Sequence, residues 1–148
     1  GYCFFTCLSW AFDNCADGAS ERRSFVCDYV ESNIHLYIAV MGGDEETHQQ
    51  YLREQRQDSK YTDCVDIIAA ARSLCVNIAI YNTEKNQWLI FCPEYGLSRR
   101  GFVYLKFIQE HYLLVTSLTT QVEPETADQN STEDVLSVKT TYTTSVFE

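Results

Sequence analysis

The chain has 148 residues, 45% of them hydrophobic and 14% aromatic, which suits one globular domain with a real core and is too short for two comfortable ones. It carries 21 acidic against 11 basic residues, a net charge of −10, so no basic stripe is available to neutralise phosphates and no nucleic-acid partner is expected. No apolar run approaches the roughly 18 residues that cross a bilayer, and no signal-peptide pattern opens the chain, so no membrane partner is expected either.

Taken in order, the first half reads as helical. Phe4, Phe5, Leu8, Ala11 and Phe12 recur at spacings of three and four, marking one face of a helix that starts close to Cys3. Asn14 to Ala19, with Gly18, reads as a turn. Ser20 is placed to cap a second helix with Phe25, Val26, Tyr29 and Val30 as its buried stripe. A third segment, Ile34 to Met41, stops at Gly42-Gly43. Glu45 to Gln57 is polar apart from Tyr51 and Leu52 and reads as a solvated helix. Thr62 then caps "DCVDIIAAARSLC", whose alanines allow close packing.

After Cys75 the period changes to two. Val76 to Tyr81 reads as a buried strand, Asn82 to Asn86 as a turn, and Gln87 to Cys92 as the partner strand. Pro93 to Arg100 is an irregular loop. Phe102 to Ile108 and Tyr112 to Leu118 are two more β runs, separated by Gln109-Glu110-His111. Helices followed by a small, mostly antiparallel sheet define an α+β fold class. From Thr119 the chain is rich in Thr, Ser and acids: six acids stand against Lys139 alone. That composition buries too little apolar area to offset chain entropy, so 119–148 reads as a disordered tail or linker and 1–118 as the domain.

Seven cysteines, at 3, 7, 15, 27, 64, 75 and 92, form an odd set with no C-x-x-C pair, so neither a zinc site nor any other metal or cofactor is expected. Most lie among apolar neighbours, which points to reduced thiols in the cytoplasm or nucleus. The Asn130-Ser131-Thr132 sequon would matter only in a secreted chain.

Cys3 stands where a loop enters a helix, and there free amides and the partial positive end stabilise a thiolate. Three histidines are available as its base. His48 lies in the polar "GGDEETHQQ" and reads as exposed; His35 lies in an apolar helix and reads as a packing residue. His111, between two strands, can reach from a rigid sheet edge into a cleft. A Cys at a helix start with a His from a distant strand is the arrangement of thiol proteases, though spacing alone does not single this pair out.

Four segments in order add to that reading. "GYCFFTCLSWAF" resembles the nucleophile segment of the ovarian-tumour (OTU) family of cysteine proteases, Asp-Gly-x-Cys-hydrophobic-Phe. "VDIIAAARSLCVNIAIYN" resembles the family's helix leading into a buried strand, "NQWLIFCP" its Trp-containing hairpin strand, and "EHYLLV" the closing His-aromatic strand. The resemblance spans Gly1 to about Leu118 and implies a papain-like cysteine protease fold and a deubiquitinase that hydrolyses isopeptide bonds at the C-terminus of ubiquitin or a similar modifier. It implies Cys3 as nucleophile and His111 as general base, with the amides of Gly1, Tyr2 and Cys3 as oxyanion donors. Tyr112 would help to fix the imidazole, and ubiquitin or polyubiquitin is the implied partner.

Two departures from the family pattern stand out. The family Asp of the nucleophile loop would precede Gly1, and the absence of an initiator Met reads as an N-terminal truncation. The acid often found two residues after the His is Leu113 here. Glu110 should point to the opposite face of a strand from His111, and Gln109, on the same face, is the weak remaining candidate to orient the ring. The third member of the site is therefore upstream or missing, and a non-catalytic ubiquitin- or protein-binding module, or an inactive fragment, is the alternative reading.

Overall fold

The three-and-four spacing of the first segment winds into helix α1 (Cys3–Asp13), which buries Phe4, Phe5, Cys7, Leu8 and Ser9. The structure is a computed structural model that describes residues 3–57, 60–93, 95–124 and 136–145. Helices α2 (Ala19–Ser32), α3 (Ile34–Met41), α4 (Glu45–Gln55) and α5 (Cys64–Leu74) follow. Then come strands β1 (Asn77–Asn82), β2 (Gln87–Phe91), β3 (Phe102–Ile108), β4 (His111–Pro124) and β5 (Leu136–Ser145).

Local chemistry explains how these elements join. Ser9 is buried yet satisfied: its hydroxyl donates to the Cys15 carbonyl at 2.6 Å and accepts from the Gly18 amide at 3.1 Å. It thereby pins the connection from α1 to α2. Ser20 lies inside α2 rather than at its cap, which falls on Gly18 without a side-chain hydrogen bond. The expected stripe of α2 also shifts. Val26 and Val30 are buried, but Phe25 is 50% exposed and Arg23 occupies the interior at 1% exposure. The guanidinium lies 4.6 Å over the Phe5 ring and donates to the carbonyls of Gln55 and Lys60 at 3.0 and 3.1 Å. Carbonyls at the end of α4 lack intrahelical donors, and a long cationic side chain supplies them where a phenyl ring cannot.

Helix α5 starts one residue later than expected. Asp63, not Thr62, is its cap: the carboxylate accepts from the amides of Val65 and Asp66, and the Asp66 carboxylate accepts from the Asp63 amide, closing a capping box. At its far end Cys75 takes the left-handed conformation, and the chain turns directly into β1.

The sheet order is β2-β1-β3-β4-β5, with β1 and β3 parallel and the other neighbours antiparallel. This is the mostly antiparallel α+β architecture that the elements implied. The parallel pair needs a long return from β2, and buried Asn77 holds it: its amide donates to the carbonyls of Ser98 and Gly101, and its carbonyl accepts from the Ser98 amide. Register places Ile78, Ile80, Val103, Leu105 and Leu114 on one face, where they meet α1 and α5 in a single core with Phe4, Leu8 and Ile67. The other face carries a chain of ring contacts, Tyr81–Trp88, Trp88–Tyr104 and Tyr104–Phe102, at 5.3, 6.1 and 5.4 Å.

The region read from sequence as a structureless tail differs in part. β4 continues to Pro124 and pairs antiparallel with β5, from Leu114↔Ser145 to Pro124↔Leu136. The low apolar content there argues against a core, but backbone pairing needs none; Thr, Val and Tyr suit extended strands. Residues 125–135 and 146–148 of that reading lie outside the described residues.

Burial first, and then the charge of Asp63, push the Asp66 carboxyl up to about 7. In the unfolded chain the same carboxyl ionises near its ordinary value of about 4. The unfolded state therefore sheds this proton first, and stability falls as the pH rises from about 4 to about 7. Asp66→Asn keeps an acceptor for the Asp63 amide and removes this proton. The difference between urea midpoints at pH 4.5 and 7.5 should shrink in the variant; an unchanged difference would assign the slope to other groups.

Candidate active site

Cys3 is the first residue of α1 and is half-buried. The next turn of the helix fixes it against the sheet. The Phe4 ring meets Tyr112 edge-on at 5.4 Å, and the Cys7 thiol donates to the Tyr112 carbonyl at 3.5 Å. Tyr112 in turn lies 4.9 Å from the Phe107 ring. Burial, followed by the negative charges of Cys3, Cys64, Asp63 and Asp66, pushes the Tyr112 phenol up to about 12. It stays neutral at physiological pH and is no base there. The amide donors assigned to Gly1 and Tyr2 lie outside the described residues.

His111 is the first residue of β4, exposed, and paired with Ile108 across a two-residue turn. The turn is Gln109-Glu110, with φ of 48° and 64°. Two positive values at the centre of a two-residue hairpin are the pattern of a type I′ turn, which favours Asn-Gly. Here neither residue is Gly or Asn, so each costs about 1 kcal/mol of backbone strain. Gln109 and Glu110 are consequently turn residues, and the alternation used to weigh them as ring partners does not apply. Among the described residues the His111 imidazole has no hydrogen-bond partner, and none joins it to Cys3. Register groups His111 with Ile108 and Leu113, and Tyr112 with Phe107. The fold thus brings Cys3 to Tyr112 and leaves His111 at the exposed strand end beside it.

Beside Tyr112 a cavity of about 290 Å³ opens, lined by Tyr61, Thr62, Phe107, Glu110 and Tyr112. It shares Thr62, Phe107 and Tyr112 with a second cavity of about 220 Å³, which runs along the sheet past Asp63 and Cys64. Asp63 is held rigidly: besides capping α5, it accepts the Tyr51 hydroxyl at 2.6 Å. Tyr61 and Asp63 were missed as wall residues. The Asp63-x-x-Asp66 capping spacing could have located the wall, but nothing local tells that the loop before α5 faces β4.

The other histidines lie elsewhere. His35 is exposed on α3, not packed, and His48 is half-buried rather than exposed, with its Nε2 2.8 Å from the Gly42 carbonyl. No group of three or more His, Cys, Asp or Glu able to hold a metal occurs among the described residues. No described helix is long and apolar enough to cross a membrane.

A family model described as "OTU-like cysteine protease" matches residues 1–116. The chain belongs to this family. Solved structures share the fold: the OTU domain of OTUD1 aligns with a TM-score of 0.65 at 17% identity, over 75% of this chain and 76% of that one. The viral OTU domain protease from Dera Ghazi Khan virus aligns at 0.60 and 15%, over 75% and 71%. An OTU domain in complex with ubiquitin aligns at 0.61 and 16%, over 75% of this chain and 61% of that one. At these identities the likeness is one of fold. No curated protein matches the chain in sequence.

Within the OTU frame the remaining thiols separate by environment. Burial and the neighbouring Cys3 raise Cys7 to about 12, and burial first, then Asp66, raises Cys27 to about 11. Both should resist iodoacetamide at pH 8 until the protein unfolds, as mass-spectrometric mapping would read; labelling of either thiol in the folded protein would contradict the packing. A second measurement addresses the hairpin. Replacing Gln109-Glu110 with Asn-Gly should raise stability by about 1–2 kcal/mol in urea unfolding. A loss of stability would mean that the native side chains compensate the strain.

Proposed function

We propose that the chain is a thiol-dependent deubiquitinase acting on isopeptide bonds at the C-terminus of ubiquitin or a ubiquitin-like modifier, with residues 1–118 as its catalytic unit. The observation that carries the reading is the clamp of α1 on β4: Phe4 and Cys7, which follow Cys3 on the helix, both hold Tyr112, the residue next to His111 in the chain. A ubiquitin-bound OTU domain with the same fold supports the choice of partner. The seven cysteines are unpaired, which supports a reducing compartment, the cytoplasm or nucleus.

Cys3, as thiolate, attacks the carbonyl carbon of the modifier's terminal glycine. His111 takes the thiol proton and then delivers it to the departing lysine amine. The tetrahedral oxyanion is held by amides of the Gly1–Cys3 loop and the α1 terminus. Water activated by the same imidazole releases the thioester. Catalytic hydrogen bonds commonly tighten only when substrate is bound, so an open Cys3–His111 pair in the free chain is compatible with this chemistry. No cofactor or metal enters the scheme.

One observation favours a second reading, a ubiquitin-binding module without turnover. Leu113 cannot orient the imidazole, and the His111 ring lacks a hydrogen-bond partner among the described residues. Hydrolysis of a ubiquitin C-terminal aminocoumarin amide separates the two. The deubiquitinase reading expects turnover that Cys3→Ala abolishes and His111→Gln lowers about 10²- to 10⁴-fold, while Cys7→Ala retains it. Undiminished turnover by Cys3→Ala would sink the mechanism, and ubiquitin binding without any turnover would establish the module.

A further inference from the structure

We propose that β2 is a self-association edge: the strand pairs antiparallel with β2 of a second copy of this chain, about a two-fold axis at Leu89. The inference goes beyond the deubiquitinase reading and does not rest on it. β2 ends the sheet on one side, and among the described residues no strand pairs with its outer edge. Its pairing with β1 runs in unbroken register from Ile78↔Phe91 to Asn82↔Gln87, so no bulge turns the edge away. From Asn86 to Pro93 the sequence, NQWLIFCP, holds no charge, in a chain whose net charge is −10. Exposed edges are ordinarily blunted by charged side chains, by proline within the strand or by bulges, and β2 has none of these. Its exposed side chains are apolar on both faces of the sheet: Ile90 is 58% exposed and Leu89 40%.

The residue pattern of the strand selects a copy of itself. Gln-Trp-Leu-Ile-Phe has apolar residues on both sides of Leu89, so antiparallel self-pairing sets Leu89 against Leu89 and Trp88 against Ile90. The Trp88–Ile90 pairs fall on the face that carries Tyr81, Tyr104 and Phe102, so a second copy continues that row of rings and covers Ile90. The opposite face carries Leu89 and Phe91, which line the 220 Å³ cavity together with Cys64 and Tyr112. Leu89 of the second copy therefore stands beside the Leu89 end of that cavity. Charge points to the same edge. Two chains of net charge −10 repel, and they approach at least cost along a stretch that carries no charge. The two-fold operation makes the contact isologous and closed, so it yields a dimer and not a fibre. Two five-residue strands bury less than about 1,200 Å² in total, which makes the dimer weak, with a dissociation constant above about 1 μM.

The test is sedimentation velocity of the full chain over a concentration series that reaches about 500 μM, far above the tightest dissociation constant expected. The parent should pass from monomer to dimer along the series. Ile90→Glu should weaken the dimer at least about tenfold, because its two carboxylates would stand diagonally, about 7–8 Å apart, beside Trp88 of the other copy. Thermal unfolding of I90E alongside the parent separates lost association from lost folding. A second variant reads the register directly. Leu89→Cys places two thiols on the axis with Cβ atoms about 4.5–5.5 Å apart, and diamide oxidation should give a dimer whose peptide map joins position 89 to position 89. A parent that stays monomeric throughout would overturn the proposal. So would a dimer that I90E leaves intact, or an oxidised L89C in which position 89 is not joined to its counterpart. None of these readouts depends on turnover, so failure of the deubiquitinase reading would leave them unchanged.

Discussion

The edge-to-face contact between Phe4 and Tyr112, reinforced by the Cys7 thiol on the Tyr112 carbonyl, is the constraint on which the site depends. It ties the first turn of the chain's first helix to a strand more than a hundred residues away. Phe4 is fully buried, so the contact is dry and its geometry is set by packing rather than by solvent. With α1 docked in this way, a thiol at its first position stands at the end of the sheet, not over its middle. The same contact brings Tyr112 against Phe107 and forms the inner wall of the cavity.

Three polar arrangements keep that wall in place, and each spends local preference on tertiary fit. Arg23 is buried to satisfy the carbonyls that end α4 and to rest on the Phe5 ring, which couples α2 to the loop before α5. Asp63 and Asp66 close the start of α5 with two carboxyl groups, one of them buried, and burial makes Asp66 keep its proton to higher pH. Gln109 and Glu110 adopt a turn that glycine and asparagine prefer, and the sheet register on both sides holds them there. Strain next to a candidate base is common where the surrounding fold over-determines a conformation.

Charge and apolar surface are distributed unevenly over the molecule. The helix-covered face of the sheet holds the aliphatic core, whereas the opposite face is aromatic, with Trp88 at the centre of its ring contacts. Trp88, on β2, packs against Tyr81 of β1 and Tyr104 of β3 and so contributes to sheet cohesion. The acidic C-terminal region adds β5 to the β4 edge through backbone pairing.

The sequence by itself determined the succession of elements, because periodicity and turn residues are local. Ile34–Met41 and Phe102–Ile108 could be bounded to the residue, and the helix of Cys3 is plain from Phe4, Phe5 and Leu8. The family was also legible, from four ordered motifs that include Cys3 and His111. Where burial was inferred from hydrophobicity alone, as for Phe25, the long arm of Arg23 won instead, since its partners come from α4 and the following loop. Similarly, Thr62 and Ser20 looked like caps, but which hydroxyl or carboxylate reaches an amide depends on how the preceding loop arrives. The turn conformation of Gln109-Glu110 and the convergence of Tyr61, Glu110 and Tyr112 on one cavity were decided only by the tertiary structure. Those residues meet through the pairing of β3 with β4 and the docking of α5, contacts whose partners are far apart in the chain and leave no periodic trace in it.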